Sequence, residues 1–221
     1  MRDALVVWGG WDGHEPKQAT GIVAEELKKN DFNVEVSDTL EAYADAEKLK
    51  GYHLIVPCWT MGDIPGKLRK NLTEAVKEGT GLAGWHGGMC DAFRKDTEYQ
   101  FMTGCQWVAH PGGILKYKVN ITDHEHEITK GLEDFEIESE QYYVHVDPAV
   151  KVLATTNVPA DRAMGNTGPD GGDVVMPVTW TKVWGKGRVS YTSLGHVAKD
   201  FAIPQVLEMV VRGCKWAARA E

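Results

Sequence analysis

Along the first ninety residues, short unbroken apolar runs alternate with segments whose apolar residues recur every third or fourth position. ALVVW (4–8), stopping at Gly9-Gly10, predicts a strand buried on both faces. Pro16 suits the first turn of a helix, and a stripe of Ile22, Val23 and Leu27 carries that helix to Asn30. FNVEV (32–36) alternates and predicts a second strand, residues 40–50 a short helix, and HLIVP (53–57) a third strand. Pro65 opens a helix carrying Leu68, Leu72, Ala75 and Val76, which Gly79 closes. GLAGWHGG (81–88) then reads as a fourth strand that stops on His86, a histidine set among glycines.

This β-α-β rhythm predicts an α/β fold: a flavodoxin-like, doubly wound, mostly parallel sheet with helices on both faces and right-handed crossovers. Ligands of such sheets bind beyond the carboxyl ends of the strands, so Asp12, His14, Trp59 and His86 are expected to converge on one rim. After Gly104 the rhythm changes. ILKYKVNIT (114–122), FEIESEQYYVHV (135–146), KVLATT (151–156), DVVMPVTWTKV (173–183) and GRVSYTSL (187–194) are strand-like. The Pro/Gly/Asn-rich stretch 157–172 predicts a mobile loop near the site, and 203–220 a closing helix with Pro204 at its start. No internal repeat interrupts the pattern, and residues 1–221 read as a single domain.

Composition narrows the function classes. A formal net charge of −8, with Lys and Arg scattered among acids, argues against a nucleic-acid partner. The opening MRDALVVWGG is too short for a signal peptide, and no stretch approaches a membrane span, so a cytoplasmic protein with no membrane partner is expected. The four cysteines (Cys58, Cys90, Cys105 and Cys214) form no CxxC pair, which predicts reduced thiols and no Cys-rich zinc site. An exposed edge strand or apolar helix face would support a homo-oligomer.

His86 has the sharpest local argument for chemistry. Gly84-Trp85-His86-Gly87-Gly88 is a strand-turn-helix elbow, which strains the backbone and lifts its central side chain over the sheet. The following helix's positive end would favour a neutral imidazole able to bind metal or accept a proton. GGWDGH (9–14) offers Asp12 and His14 after the first strand, although His14 could equally cap the next helix. SLGH (193–196) ends a late strand on His196. If SEQYYVHVD (139–147) is extended, Glu140 and Tyr142 share one face, and Tyr143, His145 and Asp147 the other. A carboxylate and a phenol on one face suit acid/base work, while a half-exposed edge strand is the alternative. His110, in AHPGG, is a further candidate. His124 and His126 read as solvated surface, His53 as structural, and Cys90 as core. Trp8, Trp11, Trp59, Trp85 and Trp107 fall near the same strand ends, where aromatic faces would stack on sugar.

Taken in order, GGWDGH (9–14), GWHGG (84–88), SEQYYVHVD (139–147) and GKGRVSYTSLGH (185–196) resemble the trehalose-utilisation ThuA-like family across nearly the whole chain. The resemblance implies a fold similar to class I glutamine amidotransferases, in which the elbow carries cysteine; with His86 there, glutamine hydrolysis by that route is not available. It also implies carbohydrate metabolism on trehalose-like disaccharides or their keto-sugar derivatives, with a site at His14, His86, Glu140, Tyr142 and His196. Our expectation is a hydrolase or lyase on keto-glycosides. His86, His196, Glu140 and Tyr142 would be catalytic; Asp12, His14, Trp59, Trp85, His110 and His145 would contact substrate. A divalent metal such as zinc would sit on His14, His86 and His196, with no nucleotide cofactor. The alternative is a non-catalytic sugar-binding or regulatory protein that kept the scaffold. Thiol chemistry through Cys90 is the least supported route.

Overall fold

The computed structural model describes residues 1–220. The chain opens with β1 (Arg2–Gly10), α1 (Pro16–Lys29), β2 (Phe32–Ser37), α2 (Ala46–Gly51), β3 (Leu54–Thr60), α3 (Gly66–Glu78), β4 (Gly81–Trp85), α4 (His86–Cys90) and α5 (Thr97–Thr103). There follow β5 (Cys105–Ala109), β6 (Ile114–Ile121), β7 (Phe135–Glu140), β8 (Tyr143–Val146), β9 (Lys151–Val158), β10 (Val174–Trp184), β11 (Gly187–Thr192) and α6 (Pro204–Ala217). No helix among the described residues is long and apolar enough to cross a membrane.

The main sheet has the order β2-β1-β3-β4-β11-β10-β9-β6-β7. Its first five strands are parallel, and their order is that of a doubly wound flavodoxin-like sheet. The remaining pairings are antiparallel. The sheet is therefore mixed, with its parallel half built by the β-α rhythm and its other half by hairpins. Alternation along β1 shows why both faces are covered. Ala4 and Val6 join one core with Val23 and Leu27 of α1 and Val206, Val210 and Cys214 of α6. Leu5 and Val7 join the other with Leu68, Leu72 and Val76 of α3.

Two stretches depart from the sequence reading. FEIESEQYYVHV is not one strand: β7 ends at Glu140, and β8 pairs with β5 in a separate two-stranded ribbon. Glu140, Gln141 and Tyr142 are all buried, and three consecutive inward side chains cannot be met by a pleat that alternates faces. Gln141 holds the break, its Nε2 donating to Thr156 Oγ1 at 2.7 Å and to the Asn157 carbonyl at 3.0 Å. The short α5 and β5 also went unread, since seven and five residues carry too little periodicity to show.

The β6–β7 hairpin hangs on the main sheet through Asn120 and Ile121, which pair with Thr155 and Ala154. Beyond that short seam it folds over the sheet. Its Tyr117, Val119, Phe135 and Ile137 share a core with Trp85, Leu194 and Phe201. This folding-over carries Glu140, from an outer strand, to the rim above β4 and β11.

Candidate active site and metal centre

His14 ends a short 3-10 turn, Asp12–His14, just past β1. His86 opens α4 directly after β4 with φ +42, a left-handed conformation unusual for a side chain with a Cβ. His196 follows β11 after Gly195, and its backbone N–H donates to Asp200 Oδ2 at 3.1 Å. The same Asp200 oxygen accepts from Ser139 Oγ at 2.6 Å, beside Glu140. Four ligand atoms, one each from His14, His86, Glu140 and His196, lie within 4.8 Å of one another.

The hydrogen bonds orient two of these imidazoles. His86 Nδ1 lies 2.8 Å from the Ser193 carbonyl, which can only accept, so Nδ1 carries the hydrogen. In the neutral ring, Nε2 then turns a lone pair toward Glu140 Oε2 at 3.1 Å. A lone pair facing a carboxylate oxygen needs a positive charge between them, either a proton or a metal. His14 Nδ1 is held by Thr60 Oγ1 at 2.8 Å, leaving Nε2 directed at Glu140 from 3.9 Å. Outer nitrogen anchored and inner nitrogen free is how metal-binding histidines are oriented. His196 Nε2 and His110 Nε2 approach Glu140 Oε1 at 3.5 and 3.7 Å. The donor set is imidazole and carboxylate, and its spacing is on the scale of two ligand bonds of about 2.1 Å. The buried cluster could thus hold a metal ion.

Electrostatics agree with that donor set. Burial alone would raise the Glu140 carboxyl, but the hydrogen bond from His86 and the charges of His86, His196 and His110 pull it down to about 2. Burial, followed by repulsion from His86 and His196, lowers His14 to about 3. His196 is lowered by burial and by His86. The site therefore pairs an ionised carboxylate with a neutral His14.

A stability prediction follows. Unfolded His14 gains a proton below pH 6.5, but folded His14 does not until about 3, so the unfolded state binds more protons across that window. Stability is fully present above pH 6.5 and is lost as the pH falls toward 3. His196 adds in the same direction, and Glu140 adds a further loss between 4.5 and about 2. Metal-free protein is expected to lose roughly 2 kcal/mol between pH 6.5 and 5 from His14 alone. Urea midpoints at pH 7 and 5 measure this; an unchanged or higher midpoint at pH 5 would contradict it.

Glycine is required next to the elbow. A Cβ on Gly87 would lie 2.5 Å from His14 Cε1 and 2.9 Å from the Tyr142 hydroxyl. Tyr142 lies over His86, ring centroids 4.0 Å apart. Burial and the Glu140 charge raise its phenol well above the usual range, so it keeps its proton at neutral pH. An inner cavity of about 160 Å³ opens beside this group, lined by His14, His110, Glu140, Tyr142, Trp11 and Trp107, and also by Met61, Asp91 and Arg94. Arg94 donates through Nε and Nη2 to the two oxygens of buried Asp91, the latter at 2.9 Å. Its guanidinium lies 4.4 Å from the Trp107 ring centroid.

The structure thus brings together His14, His86, His110, Glu140, Tyr142 and His196. Four other candidates do not line this cavity. Asp12 is exposed on its turn, and Trp59 packs over Gly9. Trp85 is buried against Phe201, because its position in β4 faces the core. His145 is exposed on β8 and lines a different groove, beside Phe101, because β8 turns Val144 inward and His145 out. Of the tryptophans, Trp11 and Trp107 reach the cavity. Sequence reasoning missed Asp91 and Arg94; their one available signal was an acid–base pair three residues apart, just after the elbow.

Residues 3–217 match the profile of the ThuA family, described as "Trehalose utilisation". No curated protein matches the chain. Among solved structures, a ThuA-like protein from Bacteroides uniformis superposes with a TM-score of 0.77 at 18% identity, over 98% of this chain and 91% of that one. A second, from Parabacteroides merdae, gives 0.74 at 18% identity, over 98% and 89%. A beta-galactosidase from Bacillus circulans gives 0.62 at 12% identity, over 98% of this chain but 31% of its own. At these identities the likeness is one of fold.

Proposed function

As the chain belongs to the ThuA trehalose-utilisation family, we propose that it is a metal-assisted enzyme of carbohydrate metabolism that cleaves glycosides bearing a ketone on the sugar ring. One observation carries the reading: three imidazoles and one carboxylate from separate strand ends turn their donor atoms onto one buried point. His14, His86 and His196 would hold a zinc-like ion, with Glu140 as the anionic donor. Bound there, such an ion supplies Lewis-acid polarisation of a ketone oxygen.

The chain's own residues divide the proton work. The depressed pKa of Glu140 suits holding a cation and makes it a poor base. His110, outside the four-residue cluster but lining the same cavity, takes the proton from the carbon next to the ketone. That C–H bond breaks, a carbon–carbon double bond forms, and the bond from the anomeric carbon to the glycosidic oxygen breaks. Tyr142 protonates the departing oxygen, which leaves as an alcohol. Trp11 gives an aromatic face, and the Asp91–Arg94 pair gives partners for ring hydroxyls. A non-catalytic sugar-binding protein on the same scaffold is the second reading, and it rests on the resemblance to the amidotransferases, which implies His86 in place of their cysteine. Burial of Cys90 raises its thiol well above the reactive range, which weighs against thiol chemistry.

The test is aglycone release from 3-keto-glucosides, together with deuterium uptake from D2O at the carbon beside the ketone, in protein reconstituted with zinc or manganese. Both are expected in the wild type. Both should disappear in His86→Ala and His196→Ala, along with the metal on elemental analysis. Saturable binding of keto-glycosides with neither product nor exchange would replace this reading with that of a sugar-binding protein.

A further inference from the structure

The inner cavity is lined by polar groups but is small for a whole glycoside, since pockets that bury a ligand of that size run to about 300–1,000 Å³. The rest of the substrate needs a second space. Trp107 and His110 also line an outer cleft of about 480 Å³, completed by Ala109, Pro111, Arg162 and Met164. The two spaces share those two lining residues and so adjoin each other. Their chemistry differs sharply: Asp, Glu, Asn and Gln side chains, which hold sugar hydroxyls in pairs, are absent from the outer wall.

What the outer wall does present is attraction for a flat apolar ring. Trp107 gives an aromatic surface, Met164 a thioether, and Pro111 and Ala109 apolar contact. No hydrogen bond or ion pair among the described residues engages the Arg162 guanidinium, which is free to lie against a π face. Met164 is the telling residue. It is 71% exposed, a large cost in apolar surface, and it sits at φ +52, where a side chain with a Cβ is strained. A ligand seated in the cleft would cover this residue.

We propose that the outer cleft is the leaving-group subsite, and that it selects glycosides whose leaving group is an apolar, planar ring over those carrying a second sugar. This deepens the keto-glycosidase reading and rests on it for the placing of the sugar in the inner cavity. The test compares benzyl, methyl and glucosyl 3-keto-glucosides in both anomeric forms. Benzyl and methyl leave as ordinary alcohols and glucose leaves as its more acidic anomeric hydroxyl, so leaving-group acidity favours the glucosyl compound and cannot produce the expected order. The benzyl compound is expected to exceed the other two in kcat/KM by about tenfold or more. Met164→Ser, at an exposed position, should reduce the benzyl-to-methyl ratio about fivefold, mainly through KM. A glucosyl compound turned over as well as the benzyl one, or a ratio unmoved by Met164→Ser and Arg162→Ala, would overturn the proposal.

A binding measurement separates failure of this proposal from failure of the enzymatic reading. Calorimetric titration of the unoxidised benzyl glucoside, methyl glucoside and trehalose needs no turnover. If no keto-glycoside reacts, yet benzyl glucoside binds most tightly and weakens in Met164→Ser, the cleft assignment holds and the catalytic reading fails. Trehalose binding more tightly than benzyl glucoside, or equal affinities in wild type and variant, overturns the cleft assignment whatever the turnover.

Discussion

Glu140→Gln is expected to cost the protein its metal and about 10³-fold in kcat/KM. The amide keeps the shape of the side chain, and the backbone hydrogen bond from the Tyr117 hydroxyl to the Glu140 carbonyl is untouched. What it removes is the one negative charge toward which four imidazoles point. His86 Nε2 would then face a neutral amide with its other nitrogen already committed to Ser193. Elemental analysis should find near one equivalent of metal in the wild type and less than about a tenth in the variant. A Glu140→Gln protein that keeps both metal and turnover would show that the carboxylate is neither ligand nor essential charge, and the cluster would then be a structural network.

Tyr142→Phe separates a proton donor from a packing residue. The ring that covers His86 is preserved, while the hydroxyl that lies over Gly87 is lost. For 3-keto-glycosides with alcohol leaving groups, kcat/KM should fall about 10²-fold or more. For a strongly acidic phenol, which departs without protonation, the same variant should stay within a few-fold of the wild type. Metal content should not change. An equal loss for both leaving groups would mean that the phenol positions His86 and protonates nothing. Since the phenol stays protonated well above neutrality, its loss as a donor through ionisation should not appear anywhere below pH 9 in the pH–rate profile.

How much of this was legible in the sequence differs by region, for physical reasons. The parallel half was readable because strands buried on both faces are written as continuous apolar runs, and α1 and α3 carry one clear stripe each. Strand ends then located His14 and His86 on one rim without knowledge of their distances, together with Asp12 and Trp59, which do not line the cavity, while His196 joined the site through the family resemblance. Glu140 was found for a partly mistaken reason. A straight strand would have put it on the same face as Tyr142, whereas the chain breaks after β7, and Glu140, Gln141 and Tyr142 are buried together. Trp85 and His145 misled because proximity in sequence to a rim says nothing about which way a side chain points once strand register is set. Asp91, Arg94 and Arg162 were silent because loops acquire their neighbours from the whole fold and not from local spacing.

The short seam at Asn120 and Ile121 has a consequence for how this protein can change. The three imidazoles belong to the parallel frame, fixed by β1, β4 and β11, while the carboxylate arrives on a hairpin that is otherwise packed over the sheet and not woven into it. The donor set is therefore split between two structural units, the parallel frame and the hairpin. Grafting a β6–β7 hairpin that keeps Ser139 on Asp200 but ends in a different residue would alter the charge and identity of the fourth donor while leaving the histidine frame intact. In such a molecule, new chemistry is reached by exchanging one arm instead of rebuilding a core.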